Sequence, residues 1–250
     1  MFSQTGRMKR ITENEKILAI IPARSGSKGI PRKNIKSFNG KPLIHYAIAL
    51  AAKVQRKGLI VGHIVSTDSK RIASIARKSG GNAPFLRPRE LATDDSPVVE
   101  TVMHTVKWWE EHNRSIIHSV LILQPTNPLT AAEDIEGAVR QYLDNQPKAR
   151  CLISVCDAQH IRLPALYYKK GKYLEQAVRQ LDPASRRQSL RRLYWRNGAV
   201  YIVRRDLLLK KRKIMSENPC CYEMPKARSV AIDDVLDWRV AEWLMNRGRR

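Results

Sequence analysis

The segment Lys16-Ile-Leu-Ala-Ile-Ile-Pro-Ala23 decides the fold, because it is a short apolar run that can be buried on both faces of a sheet. Runs of this kind are typical of parallel strands that have helices above and below them. Three further runs follow along the chain: Gly62–Ser66, Ser119–Leu123 and Cys151–Val155. We therefore predict an α/β fold that is built on a mostly parallel sheet.

Longer stretches with helical periodicity separate these strands. Pro42–Lys57 places its apolar residues on one stripe, and Pro42 and Gly58 stand where a helix is expected to start and end. The other predicted helices of this half are Ser69–Lys78, Pro97–Glu111 and Ala131–Asp144. Helices that alternate with parallel strands cross over the sheet, so we expect them on both of its faces.

The pattern changes in the second half of the chain. Residues from about 160 to 196 are mixed polar, aromatic and basic without a clean repeat, which indicates an inserted arm rather than a separate domain. The core then resumes with a strand Ala199–Val203, a short run Ser229–Ile232 and a helix Val235–Arg247. We predict an N-terminal extension over residues 1–15 and a single domain over residues 16–250.

Composition and charge restrict the partners. The chain has 46 Lys and Arg residues against 23 Asp and Glu residues, a formal net charge of +23 that favours a polyanionic partner. No apolar run approaches the roughly 20 residues that span a bilayer, and the N-terminus lacks the apolar segment of a secretion signal. The cysteines at positions 151, 156, 220 and 221 form no C-x-x-C pair. The sequence thus predicts a soluble, cytoplasmic protein with free thiols and no membrane partner.

A charge-dense loop, Pro22-Ala-Arg-Ser-Gly-Ser-Lys-Gly-Ile-Pro-Arg-Lys-Asn34, directly follows the first strand. Loops at the carboxyl ends of parallel strands face the crevice in which open α/β sheets bind ligands. Gly26 and Gly29 allow the backbone to approach a phosphate, and the serines add hydroxyl donors. The cationic groups of the loop are Arg24, Lys28, Arg32 and Lys33. The loop predicts a triphosphate site, and the alternative is a solvated basic turn.

The loop matches neither G-x-x-x-x-G-K-[ST] nor G-x-G-x-x-G, so the sequence supports neither a Walker-type ATPase nor a dinucleotide-binding protein. It resembles instead the signature loop of the sugar-acid cytidylyltransferases, particularly the N-acylneuraminate branch. Further segments resemble that branch in the same order: Val65-Ser-Thr-Asp68, Leu86-Arg-Pro-Arg-Glu-Leu-Ala92, Leu123-Gln-Pro-Thr-Asn-Pro-Leu129 and Asn197-Gly-Ala-Val-Tyr201. The resemblance covers roughly residues 16–240. It implies a Rossmann-like nucleotidyltransferase fold, CTP and an acidic sugar as substrates, and a homodimer that the arm helps to form.

The resemblance also implies roles for individual residues. The residues implied to bind the nucleotide are Arg24, Ser25, Gly26, Ser27, Lys28, Gly29, Lys33, Asn34 and Arg87. Those implied to bind the sugar are Gln124 and Thr126 in the cleft and Arg187 and Gln188 on the arm. Asp233 is implied to bind Mg²⁺ on the phosphates. Lys28, Arg24 and Asp233 are therefore the candidate catalytic residues.

The sequence departs from this family at the metal. Relatives carry an I-D-I-D-like element, whereas this chain reads Val230-Ala-Ile-Asp-Asp234 and has Ala231 in place of the first aspartate. Alanine cannot bind a metal ion. Three alternatives remain: Asp233 and the phosphates suffice, Asp234 or Asp237 compensates, or the activity is weakened.

The arm departs from the family as well, in the segment Gln188-Ser-Leu-Arg-Arg-Leu-Tyr-Trp-Arg-Asn-Gly198. Trp195 stands where relatives have arginine, and Arg192 or Arg196 could supply the missing charge. The segment Leu123–Leu129 favours a nine-carbon acidic sugar, because the octulosonate branch resembles Q-G-D-E-P there and this chain lacks that aspartate. The identity of the sugar therefore stays open at this point.

The predicted reaction is the transfer of CMP from CTP to the anomeric hydroxyl of a nonulosonic, sialic-type acid, with release of pyrophosphate. No histidine has a spacing that marks it as the general base. The alternatives are a cytidylyltransferase for legionaminate, pseudaminate or an octulosonate, an inactive relative, and a nucleic-acid-binding protein. Basic runs such as Lys210-Lys-Arg-Lys213 favour nucleic acid. Aromatic residues, at 6% of the chain, do not interleave with these runs as base stacking requires.

Overall fold

The computed structural model describes residues 11–27, 29–93, 95–158, 161–178 and 191–247. The predictions for Lys28, Arg187 and Gln188 lie outside these residues. The strands are β1 (Ile17–Pro22), β2 (Ser37–Phe38), β3 (Lys41–Pro42), β4 (Gly62–Ser66), β5 (Ser119–Leu123), β6 (Cys151–Asp157), β7 (Tyr167–Lys170), β8 (Tyr173–Gln176), β9 (Tyr194–Arg204) and β10 (Cys220–Glu223). The helices are α1 (Leu43–Arg56), α2 (Lys70–Lys78), α3 (Val98–Asn113), α4 (Ala132–Asp144), α5 (Arg205–Lys211) and α6 (Val235–Arg247).

The central sheet has six strands in the order β10-β6-β9-β5-β1-β4. The strand β1 lies next to the edge strand β4 and pairs in parallel with β4 on one side and β5 on the other. The strand β9 runs antiparallel to both of its neighbours, while β6 and β10 are parallel to each other. The predicted mostly parallel sheet is confirmed. Its parallel strands therefore direct the carboxyl ends of β1, β4 and β5 toward one edge.

The core lies on both faces of this sheet. Ala19 and Ile21 of β1 belong to one apolar cluster, with residues of α1, α2 and α4, and Leu18 and Ile20 belong to the opposite cluster, with residues of α3 and α5. All four side chains are fully buried. Burial of a large aliphatic side chain contributes about 1.5–3 kcal/mol each, so the strand that decides the fold is also strongly stabilising.

The second half of the chain contains elements that the sequence pattern did not predict. The strand predicted over Ala199–Val203 extends to Tyr194–Arg204, because its first residues continue the pairing with β6. The predicted arm, at about 160–196, therefore overlaps the first residues of β9. It contains the hairpin β7–β8, whose exposed strands give no apolar alternation. The helix α5 and the edge strand β10 were also missed.

The C-terminal part returns to the edge where the parallel strands end. The short run Ser229–Ile232 forms no strand, and Ile232 N instead donates a hydrogen bond to Thr126 O at 2.8 Å. On α6, Trp238 is buried against Phe38, with ring centroids 5.3 Å apart. This third apolar cluster holds the start of α6 beside the loop that follows β1. Within the described residues, no helix has the length and apolar character that crossing a bilayer requires.

Candidate nucleotide-binding site

A cavity of about 580 Å³ opens where β1 and β5 end. The predicted site residues that line it are Arg24, Gly26, Ser27, Gly29, Lys33, Asn34, Arg87, Gln124, Thr126 and Asp233. The structure thus brings together residues that are separated by more than 200 positions along the chain. The lining also includes residues that the sequence did not single out: Leu91, Thr93, Ser96, Val98 and Thr101.

Side-chain hydrogen bonds hold the loop after β1 in place. Ser25 N donates to Asp68 Oδ1 at 2.9 Å, and Ser25 Oγ donates to Asp68 Oδ2. Asn34 Nδ2 donates to Arg24 O at 2.9 Å, and Arg24 Nη1 donates to Thr93 O at 3.0 Å. Ser25 does not line the cavity. Its hydroxyl ties the loop to the end of β4, which differs from the direct nucleotide contact that the family resemblance implies.

Arg87 and Thr101 form a buried wall of the cavity, and the half-buried Asp68 lies beside Arg87. Arg87 is 5% exposed, and its Nη1 donates to Thr101 Oγ1 at 2.7 Å. Its Nη2 lies 3.7 Å from Asp68 Oδ1, and neither Nε nor Nη2 has a hydrogen-bond partner among the described residues. Thr101 and Asp68 therefore hold a positive charge in this wall of the cavity, which suits an anionic ligand.

The charges of the buried wall support one another. Burial lowers the pKa of Arg87, and nearby Arg24 adds to this effect, while Asp68 opposes it. An arginine nevertheless stays protonated, because its ordinary pKa is far above neutrality. Burial alone would raise the pKa of Asp68, but hydrogen bonds from Ser25 and the charge of Arg87 hold it below its usual value. Asp68 is therefore an anion at neutral pH that joins the loop to Arg87.

The sequence contained a signal for Asp68 that was not used. Asp68 follows β4 by two residues, and a carboxylate just beyond a buried strand is placed at the ligand-binding edge. The pairing with Arg87 could not be predicted, since nothing in the spacing of residues 68 and 87 brings them together.

The opposite side of the cavity is formed by the acidic turn, residues 230–237, and by the loop after β1. Lys33 Nζ donates to Ile232 O at 2.7 Å and lies 3.2 Å from Asp233 Oδ1. A Cβ atom on Gly29 would lie only 2.1 Å from Asp233 O. Glycine at position 29 is therefore required by the close approach of two backbone segments, in addition to any approach of a phosphate.

The other two aspartates of the acidic turn are engaged in capping α6. Asp237 Oδ2 accepts hydrogen bonds from the backbone N–H groups of Asp233 and Asp234, and Asp234 Oδ1 accepts one from Asp237 N. This reciprocal arrangement satisfies the free N–H groups at a helix start. Neither Asp234 nor Asp237 lines the cavity. The alternative in which one of them replaces the aspartate missing at Ala231 thus lacks geometric support.

A buried polar network contacts the segment that leads into the acidic turn. Asn197 is buried in β9. Its side-chain Nδ2 donates to Ser229 Oγ at 2.8 Å, and its backbone carbonyl oxygen accepts a hydrogen bond from Asn127 Nδ2 at 3.0 Å. Gly198 follows with φ +75°, a conformation that favours glycine. The Asn-Gly pair therefore links the residues after β5 to the chain that leads into the acidic turn.

The residues present suit a magnesium ion that arrives with phosphates. Within the described ranges, no three His, Cys, Asp or Glu side chains group as a metal cage. Mg²⁺ is commonly bound by one or two carboxylates together with phosphate oxygens and water. Asp233 lines the cavity with a side chain that is 80% exposed, so a carboxylate is available there. These residues fit a cation that is held largely by its phosphate ligands.

Several other predicted contributors lie elsewhere. Neither Arg192 nor Arg196 is among the described residues that line the cavity, and Arg196 Nη1 points toward Met215 Sδ at 3.4 Å. Trp195 is 59% exposed on β9. No histidine is part of the described lining either. Among the described residues, neither of the two arginines considered as a replacement at the arm lies in the cavity lining.

A basic cavity beyond the carboxyl ends of parallel strands, bordered by a glycine-bearing loop, defines a nucleotide-binding α/β protein. The family model described as cytidylyltransferase matches residues 18–227, and the chain belongs to this family. The resemblance to the sugar-acid cytidylyltransferases is confirmed.

The relatives differ in the sugar that their names state. CMP-N,N'-diacetyllegionaminic acid synthase of Legionella pneumophila is 32% identical over 245 residues, covering 92% of this chain and 96% of the relative. N-acylneuraminate cytidylyltransferase of Escherichia coli is 31% identical over 235 residues, covering 94% of this chain and 53% of that longer relative. A solved structure of CMP:2-keto-3-deoxy-manno-octonic acid synthetase complexed with CTP has a TM-score of 0.67 at 18% identity, covering 94% of this chain and 100% of that one. The last likeness shows a shared fold.

Proposed function

We propose that this protein transfers CMP from CTP to the anomeric hydroxyl of a nonulosonic, sialic-type acid and releases pyrophosphate. The single observation that carries the proposal is the cavity of about 580 Å³ where β1 and β5 end, which is lined by the cations Arg24, Lys33 and Arg87. Family membership and the acidic sugars named for two relatives point to the same class of reaction. The cytoplasm stays the predicted location.

The nucleotide would occupy the cavity between the loop and the buried wall. Gly26 faces open space, so the backbone there leaves room for phosphate oxygens. The triphosphate would contact Arg24, Ser27, Lys28 and Lys33, while Arg87 and Asn34 would lie toward the nucleoside. In this arrangement the cations neutralise the charge that grows on the phosphates during transfer.

The reaction would be an in-line displacement at the α-phosphorus. The sugar hydroxyl oxygen forms a bond to the α-phosphorus, the bond to the bridging oxygen breaks, and pyrophosphate leaves with the electron pair. The hydroxyl proton is released as this bond forms, and we assign no residue as the general base. The protein contributes alignment and charge neutralisation, because transfer at phosphorus needs little covalent help.

Asp233 is the residue that would bind Mg²⁺, while Lys33 and Gly29 fix the turn that carries it. When bound, this cation would neutralise phosphate oxygens and orient the leaving pyrophosphate. Lys33 Nζ, at 3.2 Å from Asp233 Oδ1, holds the carboxylate toward the cavity. Of the alternatives left by Ala231, we propose that Asp233 and the phosphates suffice.

The acidic sugar would lie toward Gln124 and Thr126, which follow β5 and line the cavity. The arm residues Arg187 and Gln188 are proposed to meet its carboxylate from the second chain of a homodimer. The segment Leu123–Leu129 and the acidic sugars in the relatives' names support our choice of a nine-carbon acid. Legionaminate is a specific alternative. A relative whose name states a legionaminic acid matches 92% of this chain.

The deciding experiment measures pyrophosphate release from CTP and Mg²⁺ with a panel of eight- and nine-carbon sugar acids. We expect turnover with a nine-carbon acid. Lys33→Ala should lower kcat/KM about 100-fold, since it removes a charge from the phosphate site. The matched control is Lys41→Ala, an exposed lysine outside the cavity lining. No turnover with any acid, or equal rates for the two variants, would refute the proposal.

A further inference from the structure

A second cavity, of about 510 Å³, lies at the other edge of the sheet. Arg150, which lines it, directly precedes β6, and the helix α5, which lines it with Leu207 and Lys211, directly follows β9. The amino end of β6 and the carboxyl end of the antiparallel β9 lie at the same edge. The five residues of β5, about 16 Å at about 3.3 Å per residue, run from this edge to the edge at which the nucleotide cavity opens.

The charge of this second cavity is strongly positive. Its charged lining residues are the cations Lys148, Arg150, Lys211 and Lys213 and the single carboxylate Glu217. Four cations against one carboxylate leave a net charge of +3 on the lining. Within the ranges that the structure describes, the three lysines form no ion pair, and all three are exposed. Their charges are therefore available to an anion.

A neighbouring carboxylate does not neutralise Arg150. Arg150 Nη2 lies 3.4 Å from Asp206 Oδ2. Asp206 is engaged more closely by Arg204, whose Nε and Nη2 donate to it at 2.7 and 2.9 Å. Two guanidinium groups thus share one carboxylate, and this cluster keeps an excess positive charge beside the cavity.

The segment that carries Lys213 has a defined position. Ser216 N donates to the buried Cys151 Sγ at 3.1 Å, and Arg212 Nη2 donates to Glu100 Oε1 at 2.6 Å. Ile214 and Met215, which stand between these anchors, pack against the apolar cluster on that face of the sheet. The cations are therefore presented by an ordered frame, which lowers the entropic cost of binding.

We propose that this second cavity binds a diphosphate group, either as free pyrophosphate or as part of a nucleoside diphosphate. A diphosphate spreads several negative charges over adjacent oxygens, which suits dispersed lysines acting as point charges. Ser216 and Asn218 add a hydroxyl and an amide that can donate to its oxygens. The volume lies within the range of small-molecule cavities, about 300–1,000 Å³. Two residues of the basic run, Lys211 and Lys213, thus line a cavity rather than forming only a solvated helix end.

Calorimetric titration of inorganic pyrophosphate without Mg²⁺ tests this assignment. The test variant combines Lys148→Ser, Lys211→Ser and Lys213→Ser. The matched control combines Lys53→Ser, Lys70→Ser and Lys78→Ser, which removes the same charge from exposed positions on α1 and α2. A thermal melt of each variant verifies folding, and Lys148→Glu serves as a second, single-residue variant.

We expect the test variant to lose one pyrophosphate-binding event, or to show it weakened about 30-fold, while the control titrates like the wild type. Parallel titrations with ADP identify the source: tighter binding of ADP assigns the cavity to a nucleotide, and tighter binding of pyrophosphate assigns it to the free anion. Equal titrations of wild type and test variant, or equal losses in both variants, overturn the proposal. A loss of RNA binding without a loss of pyrophosphate binding also overturns it, in favour of a nucleic-acid surface.

Discussion

The two sides of the nucleotide cavity are built in different ways. The buried wall consists of side chains that hold one another, with Arg87 bound to Thr101 and close to Asp68. The acidic turn is held through its backbone, by Lys33 on Ile232 and by the close approach of Gly29, while the Asp233 side chain remains 80% exposed. The wall is thus preorganised to recognise a ligand, whereas the turn presents one accessible carboxylate at the rim. Changes to the wall should affect nucleotide binding, and changes to the turn should affect turnover.

The largest expected effect is that of Asp233→Asn on the acidic turn. The amide cannot supply the anionic ligand that Mg²⁺ prefers, so we expect kcat to fall about 1,000-fold with a small change in KM for CTP. Steady-state kinetics over a Mg²⁺ series provide the measurement. Asp144→Asn, an exposed residue at the end of α4, is the control. A fully active Asp233→Asn enzyme would mean that the metal is held elsewhere.

Gly29→Ala tests whether the loop and the turn depend on their backbone contact. Its Cβ atom would lie 2.1 Å from Asp233 O, so the turn must move, and we expect kcat to fall about 100-fold and stability by about 2 kcal/mol. The measurements are steady-state kinetics and thermal unfolding. Gly26→Ala is the matched control, because nothing lies within 4 Å of the added atom. It should keep full stability and change only KM for CTP; the same melting temperature for both variants would contradict the packing.

Asp68→Asn tests the buried wall. The amide keeps the shape but removes the charge beside Arg87, so we expect KM for CTP to rise about 10-fold and stability to fall by about 1–3 kcal/mol. Glu136→Gln, which breaks an ion pair with Lys57 away from the cavity, should leave KM unchanged. If kcat fell and KM for CTP did not rise, the wall and the turn would not have the separate roles assigned to them.

The pH dependence of stability gives a smaller effect at the same residue. The pKa of Asp68 is lowered on folding, so its contribution to stability is present above the ordinary carboxyl pKa of about 4 and is lost as pH falls through the lower folded value. The difference in unfolding free energy between the wild type and Asp68→Asn should be constant from about pH 6 to 7 and shrink below about pH 4. Chemical denaturation at several pH values measures it, and a difference that grew at acid pH would reverse the assigned sign.

The smallest expected change is that of Ala231→Asp. If Asp233 and the phosphates suffice for the metal, a second carboxylate should raise the affinity for Mg²⁺ by about threefold at most. The Mg²⁺ dependence of pyrophosphate release gives the value. A rise of 100-fold would show instead that the natural chain is weakened by the alanine.

Apolar runs in the sequence predicted the buried strands better than the exposed ones. The strands β4 and β5 were predicted with the bounds that the structure has, because short apolar runs that are buried on both faces leave few alternatives. The strand β10 was missed because Cys220–Glu223 alternates in exposure at the edge of the sheet and contains no apolar run. The hairpin β7–β8 was missed because its first strand is exposed along its whole length.

The sequence by itself determined the alternation of buried strands and helices, and with it the position of the loop 22–34 at the ligand-binding edge. These features depend on the periodicity of apolar residues within each segment, and this periodicity does not depend on the segment's tertiary neighbours. Only the tertiary structure decided that Asp68 contacts both Ser25 and Arg87, that Gly29 lies against Asp233, and that Lys211 and Lys213 at the end of α5 border a cavity. Such contacts join residues from distant parts of the chain, and their geometry follows from the order and direction of the strands rather than from any spacing along the sequence.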